Sequence, residues 1–318
     1  MDQPVIGVDV GGTNLQFGVV DERNRIVGRA RAKTEASGGL TRILENIDTG
    51  VRVAAADAGV PLEQIAAIGV AAAGAIDVPR GIILTAPNLA LTDTPLRDLV
   101  AERTGRVVVL DNDVNAAVWA EHQLGVVDGD TLGVWLGTGV GGGLVLGGRL
   151  YHGDAFTAGE IGHTVVLPDG PPGARTVEDH CSRSGWRHRV AERLPEIPDS
   201  ALASAGDVDR LDTEAFCRAY AAGDPLAVAL IDRAATLVGL AMANWVTVLA
   251  LRTVILGGGL TEALGPPFVA KVRRSLDANV FPPSLRCELV TTRLAADAGL
   301  IGAAMLARPS RTQPSSPW

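Results

Sequence analysis

Thr131-Leu-Gly-Val-Trp-Leu-Gly-Thr-Gly-Val-Gly-Gly-Gly-Leu-Val-Leu146 reads as an apolar strand, a glycine-rich turn beginning at Gly137-Thr-Gly139 and a second apolar strand. Glycines lack a Cβ, so several backbone N–H groups can approach one anion, and they permit the positive φ values that turn amides toward a single point. The stretch is therefore a candidate phosphate cradle between two strands. Working outward, the same order recurs at the start of the chain. Val5-Ile-Gly-Val-Asp-Val10 is followed by Gly11-Gly-Thr-Asn14 and then by Leu15-Gln-Phe-Gly-Val-Val20. Two such segments in different halves of the chain are expected of two related halves facing one ligand.

Between and beyond the hairpins, strand and helix alternate. Residues 41–59 carry apolar side chains at helical spacing (Ile43, Leu44, Ile47, Val51), and Ile65-Ala-Ala-Ile-Gly-Val-Ala71 reads as a buried strand. Arg106-Val-Val-Val-Leu110 is a further strand and Val114 to Leu124 a helix. Pro225 to Leu251 is a long helix or helix pair that feeds the strand Thr253-Val-Ile-Leu256, and Ala295 to Ala307 is the last helix. This alternation predicts an α/β protein with mixed sheets. The Ser/Pro-rich end, residues 309–318, is expected to be disordered.

The 318 residues, 47 % of them hydrophobic, suffice for two domains with sizeable cores. A net charge of −8 leaves no surplus cation for phosphate backbones, so nucleic acid is not the expected partner. Three scattered cysteines without a Cys-x-x-Cys pair fit a reducing cytoplasm. The apolar run Leu237 to Leu251 is nearly uncharged, but Arg252 interrupts it and its texture changes into a strand. It reads as a buried helix and not as a membrane span.

Gly137, Gly139 and Gly142 formally match the dinucleotide fingerprint, which must open a helix. The next segment, Leu144-Val-Leu-Gly-Gly-Arg149, looks like a strand instead. A P-loop needs a lysine after its glycines, and the only lysines are Lys33 and Lys271, neither beside a glycine turn. Phosphate would then be held by backbone amides, hydroxyls and a metal. Thr13 and Thr138 are the hydroxyls so placed. Asp9 is either a ligand of magnesium-bound water or a turn former at a strand end. A third cluster, Leu256-Gly-Gly-Gly-Leu260, comes after another buried strand and suggests a nucleotide lying across strand ends.

Asp111-Asn-Asp113 stands where a strand hands over to a helix. A carboxylate there can serve as a base, and phosphoryl transfer needs little more than positioning, electrostatic stabilisation and one proton acceptor. The alternative use of Asn112 or Asp113 is as a helix cap. Glu160-Ile-Gly-His163 can offer an acceptor and a donor to ligand hydroxyls or be a pair of exposed loop residues, and Pro87-Asn88 reads locally as a turn.

Together these segments resemble the ROK family of sugar kinases and sugar-responsive repressors, over nearly the whole chain. Asp9-Val-Gly-Gly-Thr-Asn14 is similar to its first phosphate motif, Pro87-Asn88 and Asp111 to Ala117 to its sugar and catalytic segments, and Leu136 to His163 to its signature. Leu256-Gly-Gly-Gly259 resembles the adenosine segment and Ala298 to Ala304 the closing helix. The resemblance implies a two-lobed actin/hexokinase-like (ribonuclease H-like) α/β ATPase fold with an interdomain cleft. Residues 1–117, completed by a C-terminal helix at 295–308, would form one domain and 118–294 a larger second one. Asp113 would be the general base for a sugar 6-hydroxyl, and Asn88, Asn112, Glu160, His163 and Glu178 would hold the sugar. Asp9, Gly11, Gly12, Thr13, Asn14, Gly137, Thr138, Gly139, Gly258 and Gly259 would contact ATP, with Mg2+ implied. A cytoplasmic homodimer acting on a small sugar is implied as well.

One departure stands out. Many family members carry a Cys-x-Cys-Gly-x-x-Gly-Cys cluster that binds structural zinc together with the histidine. Here Pro171-Pro-Gly-Ala-Arg-Thr-Val-Glu-Asp-His-Cys181 has a single cysteine, too few ligands for a tetrahedral site. The expectation is a zinc-free protein whose loop is held by packing, with Asp179 and His180 available to favour an amino substituent on the sugar. The activity implied is ATP-dependent phosphorylation of a hexose or amino-hexose. The alternatives are a catalytically inactive sugar-binding member and a regulator, which would need a helix-turn-helix before the first strand.

Overall fold

Strand pairing matches the hairpins read from the sequence. The computed structural model describes residues 3–308; the expected tail at 309–318 lies outside them. The chain divides into two compact units. Among the described residues the first comprises 3–124, 152–157 and 297–308, and the second 125–151 and 158–296.

In the first unit β1 (Val5–Val10), β2 (Asn14–Val20) and β3 (Ile26–Lys33) are followed by α1 (Gly39–Asp57), β4 (Ala67–Ala72), β5 (Ala75–Asp77), β6 (Ile82–Ala86), β7 (Leu91–Thr94), α2 (Leu96–Thr104), β8 (Val107–Asn112) and α3 (Asp113–Gln123). The main sheet has the order β3-β2-β1-β4-β8, and β5, β6 and β7 form a small separate sheet. β1 pairs antiparallel with β2, Val8 opposite Phe17, and parallel with β4, Val8 opposite Val70. Every residue of β4 is buried, as expected of a parallel strand covered on both faces. α1 buries Ile43, Leu44, Ile47, Val51, Ala54 and Ala55, the stripe that its 3.6-residue spacing predicts. Ile47 is fully enclosed, and truncating such a residue to alanine costs about 2–5 kcal/mol.

The second unit contains β9 (Thr131–Leu136), β10 (Val140–Leu146), β11 (Arg149–Leu150), α4 (Val177–Cys181), α5 (Arg183–Arg193), α6 (Thr213–Ala221), α7 (Pro225–Leu249), β12 (Thr253–Gly257), α8 (Gly259–Asn279) and β13 (Glu288–Thr291). Its sheet order is β11-β10-β9-β12-β13, the same arrangement as in the first unit: an antiparallel hairpin, a third antiparallel strand and two parallel strands. The repeat of hairpins is thus a repeat of whole sheets. Pro225–Leu249 is long and apolar enough to cross a membrane by composition, but it is one continuous helix buried among β9, β10, β12, α4 and α8 residues of the unit's core. Gly265, with φ 66°, and the prolines after it break α8 near its start.

A last helix, α9 (Ala298–Leu306), belongs to the first unit and packs on β1, β4 and α3. Its Ala/Gly sequence lets backbone meet backbone: a Cβ on Gly69 would sit 1.7 Å from Ala303 O, and one on Gly302 1.8 Å from Ala116 O. The helix lies beside Asp9 as well, since a Cβ on Gly299 would be 3.6 Å from its Oδ2.

Candidate active site

In the first unit, the turn Gly11–Thr13 is closed by Gly11 N donating to Asn14 O (3.1 Å). It is tied to β3's end by Thr34, whose Oγ1 donates to Gly11 O (2.5 Å) and whose amide donates to Thr13 O (3.0 Å). Gly12, Thr13 and Asn14 are exposed, so the turn can receive a ligand. The Asn14 side-chain oxygen accepts from Lys33 Nζ at 2.9 Å. Gly12 packs so closely on the exposed turn residue Asn88 that a Cβ would lie 3.0 Å from Asn88 Cβ. The first phosphate turn and the first sugar residue expected from the sequence are therefore neighbours.

The Asp111-Asn112-Asp113 segment separates into three tasks. Asn112 is the N-cap of α3, its Oδ1 accepting from Val114 N (2.8 Å) and Asn115 N (3.1 Å), while its Nδ2 donates to Gly74 O (3.1 Å). Its side chain also donates to the Asp113 carboxylate. Asp111 is 3 % exposed and spent on its neighbours: Oδ1 accepts from Asn112 N and Asn115 Nδ2, and Oδ2 bonds His152 Nε2 at 2.9 Å. Asp113 opens the helix, its Oδ1 accepting from Val114 N at 2.9 Å and its carboxylate also from the Asn112 side chain.

Asp9 and Asp113 are half-buried residues whose carboxyls are surrounded by protein. Burial first, then the charge of Asp113, pushes the Asp9 pKa up to about 7, with Gln16 Nε2, 3.5 Å from Oδ2, pulling the other way. The Asp113 pKa is raised too, by burial, against hydrogen bonds that lower it. A raised carboxylate pKa is what a general base working near neutrality needs. Two crowded carboxylates also have the chemistry of a site that takes Mg2+, which is commonly bound by one or two carboxylates and the substrate's phosphates.

In the second unit the turn Gly137-Thr138-Gly139 joins β9 to β10 and is closed by Gly137 N donating to Gly139 O at 2.9 Å. Its glycines are used differently from the sequence expectation, because none from Gly137 to Gly143 has a positive φ. A Cβ on Gly137 would meet nothing within 4 Å, but at Gly139 close approach requires glycine, since a Cβ would meet Glu178 Oε2 at 2.4 Å. That carboxylate accepts from Val140 N at 2.7 Å. The Glu160-to-His163 turn comes to the same place, with Gly162 against Val140 O. Glu160, His163 and Glu178 thus converge on the start of β10, and His163, 66 % exposed in its side chain, lies 3.9 Å from the Glu160 carboxylate. Gly258, at φ 91°, fits directly on the backbone of Leu136, so the third glycine cluster adjoins the second. No helix succeeds Gly137–Gly143, which removes the dinucleotide-fingerprint reading.

The cysteine-poor loop is held by hydrogen bonds as well as packing. Val165 bridges to Thr176, Val166 N donates to Arg175 O, and Thr176 and Asp179 form a capping box on α4. The Asp179 carboxylate accepts from Arg175 N and Thr176 N, both at 2.9 Å, and His180 Nε2 is 3.1 Å from Ala174 O. Asp179 Oδ2 and His180 Nε2 are thus used in closing the loop. Cys181 is buried, bonded to Ala234 O, and burial pushes its thiol pKa far up, against the thiolate a metal needs. Among the described residues no three or more His, Cys, Asp or Glu side chains are grouped so that they could hold a metal ion.

Two residues at these sites gave no local signal in the sequence. His152 reaches Asp111 across 41 positions and Arg183 reaches Thr138 across 45.

Two five-stranded sheets of one order, each opening on a hairpin and continuing into parallel strands, define the class as the hexokinase-like ATPase fold. The chain belongs to the ROK family, whose model matches residues 5–310. It is 31 % identical over 318 residues to a glucokinase of Halalkalibacterium halodurans, with 96 % of each chain covered. It is also 31 % identical over 309 residues to an N-acetylmannosamine kinase of Yersinia pestis, covering 96 % of this chain and 98 % of that one. The crystal structure of a ROK family glucokinase from Streptomyces griseus, in complex with glucose and AMPPNP, matches with a TM-score of 0.82 and 33 % identity over 96 % of this chain and 99 % of that chain.

Proposed function

We propose that the protein is an ATP-dependent sugar kinase that phosphorylates a hexose or amino-hexose at its 6-hydroxyl. The observation that carries this reading is the division of labour at β8 and α3. Asn112 caps the helix and Asp111 is bound to His152, so Asp113, whose pKa burial raises, is the carboxylate left to act as the base. Asp113 accepts the 6-hydroxyl proton as the oxygen attacks the γ-phosphorus of ATP, and ADP leaves. Asn88 and Asn112 bind sugar hydroxyls, as do Glu160, His163 and Glu178. The Gly11–Asn14 and Gly137–Gly139 turns hold phosphates, and Gly258 and Gly259 lie along the nucleotide.

Asp9 would hold Mg2+ through water, leaving Asp113 free as the base, and the ion would supply charge neutralisation on the phosphates. The single cysteine leaves too few ligands for structural zinc, and the hydrogen-bonded loop at 165–180 orients Glu178 without it. The enzyme works in the cytoplasm as a homodimer. The hexose is glucose or a related sugar such as N-acetylmannosamine, in line with the activities of relatives at equal identity.

A coupled ATP/ADP assay over glucose, mannose, fructose and free and N-acetylated amino sugars, with 31P NMR of the product, tests the proposal. Hexose-dependent ADP formation with a 6-phosphate product supports it. ATP binding and sugar binding without turnover would instead identify an inactive sugar-binding member.

A further inference from the structure

The second phosphate turn has no lysine in its sequence, yet a cation reaches it. Arg183, the first residue of α5, donates from Nη2 to Thr138 Oγ1 at 2.6 Å and from Nη1 to Thr213 Oγ1 at 3.3 Å. The same stretch is fastened by its backbone, Arg183 N donating to Gly137 O (3.0 Å) and Ser184 N to Thr138 O (3.2 Å). The guanidinium is half-buried and its Nε is enclosed without a hydrogen-bond partner. Among the described residues no carboxylate forms an ion pair with it; both side-chain partners are neutral hydroxyls. Burial, then the nearby charge of Arg187, holds its pKa below the ordinary arginine value, and Asp212 offsets this only in part.

A positive charge kept partly out of water, without a counter-anion and beside an exposed glycine turn, costs free energy that a bound anion would recover. The planar guanidinium fork matches two phosphate oxygens at once, which a lysine cannot do. We propose that Arg183 binds the phosphate chain of the donor nucleotide at Gly137-Thr138-Gly139, supplying from α5 the positive charge that a P-loop takes from its lysine. Thr138 is its positioning partner: the hydroxyl oxygen accepts from Arg183 and its hydrogen remains free for a phosphate oxygen. The proposal rests on the reading of this turn as a donor-phosphate site.

The test is calorimetric titration of adenosine, ADP and AMPPNP, with magnesium present, into the full-length wild type, Arg183→Gln, Arg183→Lys and Thr138→Val, with thermal melts to establish folding. Arg183→Gln is expected to weaken ADP and AMPPNP roughly 10- to 100-fold, the usual loss for a charge-assisted hydrogen bond, and to leave adenosine affinity and the sugar KM unchanged. Arg183→Lys, which keeps the charge and loses the fork, is expected to fall between Arg183→Gln and wild type. The proposal is overturned if Arg183→Gln binds ADP and AMPPNP as wild type does, or if it weakens adenosine equally. In the first case Thr138→Val separates the two layers. Loss of phosphate-dependent affinity in that variant leaves the turn as a phosphate site with Arg183 wrongly assigned, whereas wild-type behaviour removes the turn assignment as well.

Discussion

His152 Nε2 stands 2.9 Å from Asp111 Oδ2, fastening the segment 152–157 to the strand that leads into Asp113. The Asp111 carboxylate is 3 % exposed, so this bond and those from Asn112 and Asn115 are what make its burial tolerable. Breaking it leaves a buried carboxylate short of a partner directly beneath the proposed base.

His152→Ala is therefore expected to cost roughly 1–3 kcal/mol of stability, the usual penalty for orphaning a buried group in a charged hydrogen bond. Burial of the ring opposes its charge, but the hydrogen bond and charge of Asp111 outweigh this and raise the His152 pKa above the ordinary 6.5. With the folded pKa raised, the stabilisation is complete below pH 6.5 and is lost as pH rises through the folded pKa. Calorimetric melts across that window should show the gap between wild type and His152→Gln shrinking as pH rises. A gap independent of pH would contradict the pairing.

Asp9 also has a raised pKa, but there the cause is a charge that burial disfavours. Its folded pKa of about 7 exceeds the ordinary 3.8, so between those values the folded state binds more protons than the unfolded and stability falls as pH rises. Asp9→Asn, melted without nucleotide or magnesium, should be more stable than wild type above pH 7 and equal to it toward about pH 4. The expected gain is several degrees, since ~1 kcal/mol moves Tm by roughly 2–4 °C in a domain of this size. Equal melting temperatures at high pH would show that the carboxylate is not under strain.

For the loop, Asp179→Ala removes the acceptor of two backbone amides and half of a capping box, at an expected cost of about 1–2 kcal/mol. Because Asp179 faces the loop, the variant should raise KM for neutral and amino sugars by the same factor. A loss confined to amino sugars would return Asp179 to the sugar.

Metal removal separates the two metals. Excess chelator should leave the melting temperature unchanged, because the loop at 165–180 is closed by hydrogen bonds, while turnover should cease and return with Mg2+. About one zinc per chain by elemental analysis would contradict this, since a structural site has four ligands and holds its metal tightly.

Much of the frame was legible because it is local. Alternating apolar residues at 5–20 and 131–146 and the stripe from Ile43 to Val51 carry their own periods, and the structure places strands and a helix there within a few residues. The capping ambiguity at Asn112 and Asp113 could not be resolved locally, because its answer depends on Gly74, 38 positions away, holding the Asn112 amide. Gly139 was legible as a glycine but not in its purpose, which is set by Glu178 pressing on it from α4. His152 and Arg183 left no trace at all: each acts through a partner more than 40 positions away, and each sits in a stretch with no pattern of its own.

The most direct measurement is the turnover of Asp113→Asn with saturating MgATP and the preferred hexose, in a protein whose melting curve matches wild type. The account predicts a fall of roughly 10²- to 10⁴-fold in kcat, the usual value of general-base catalysis, with sugar binding retained. A folded Asp113→Asn enzyme that turns over at the wild-type rate would contradict it.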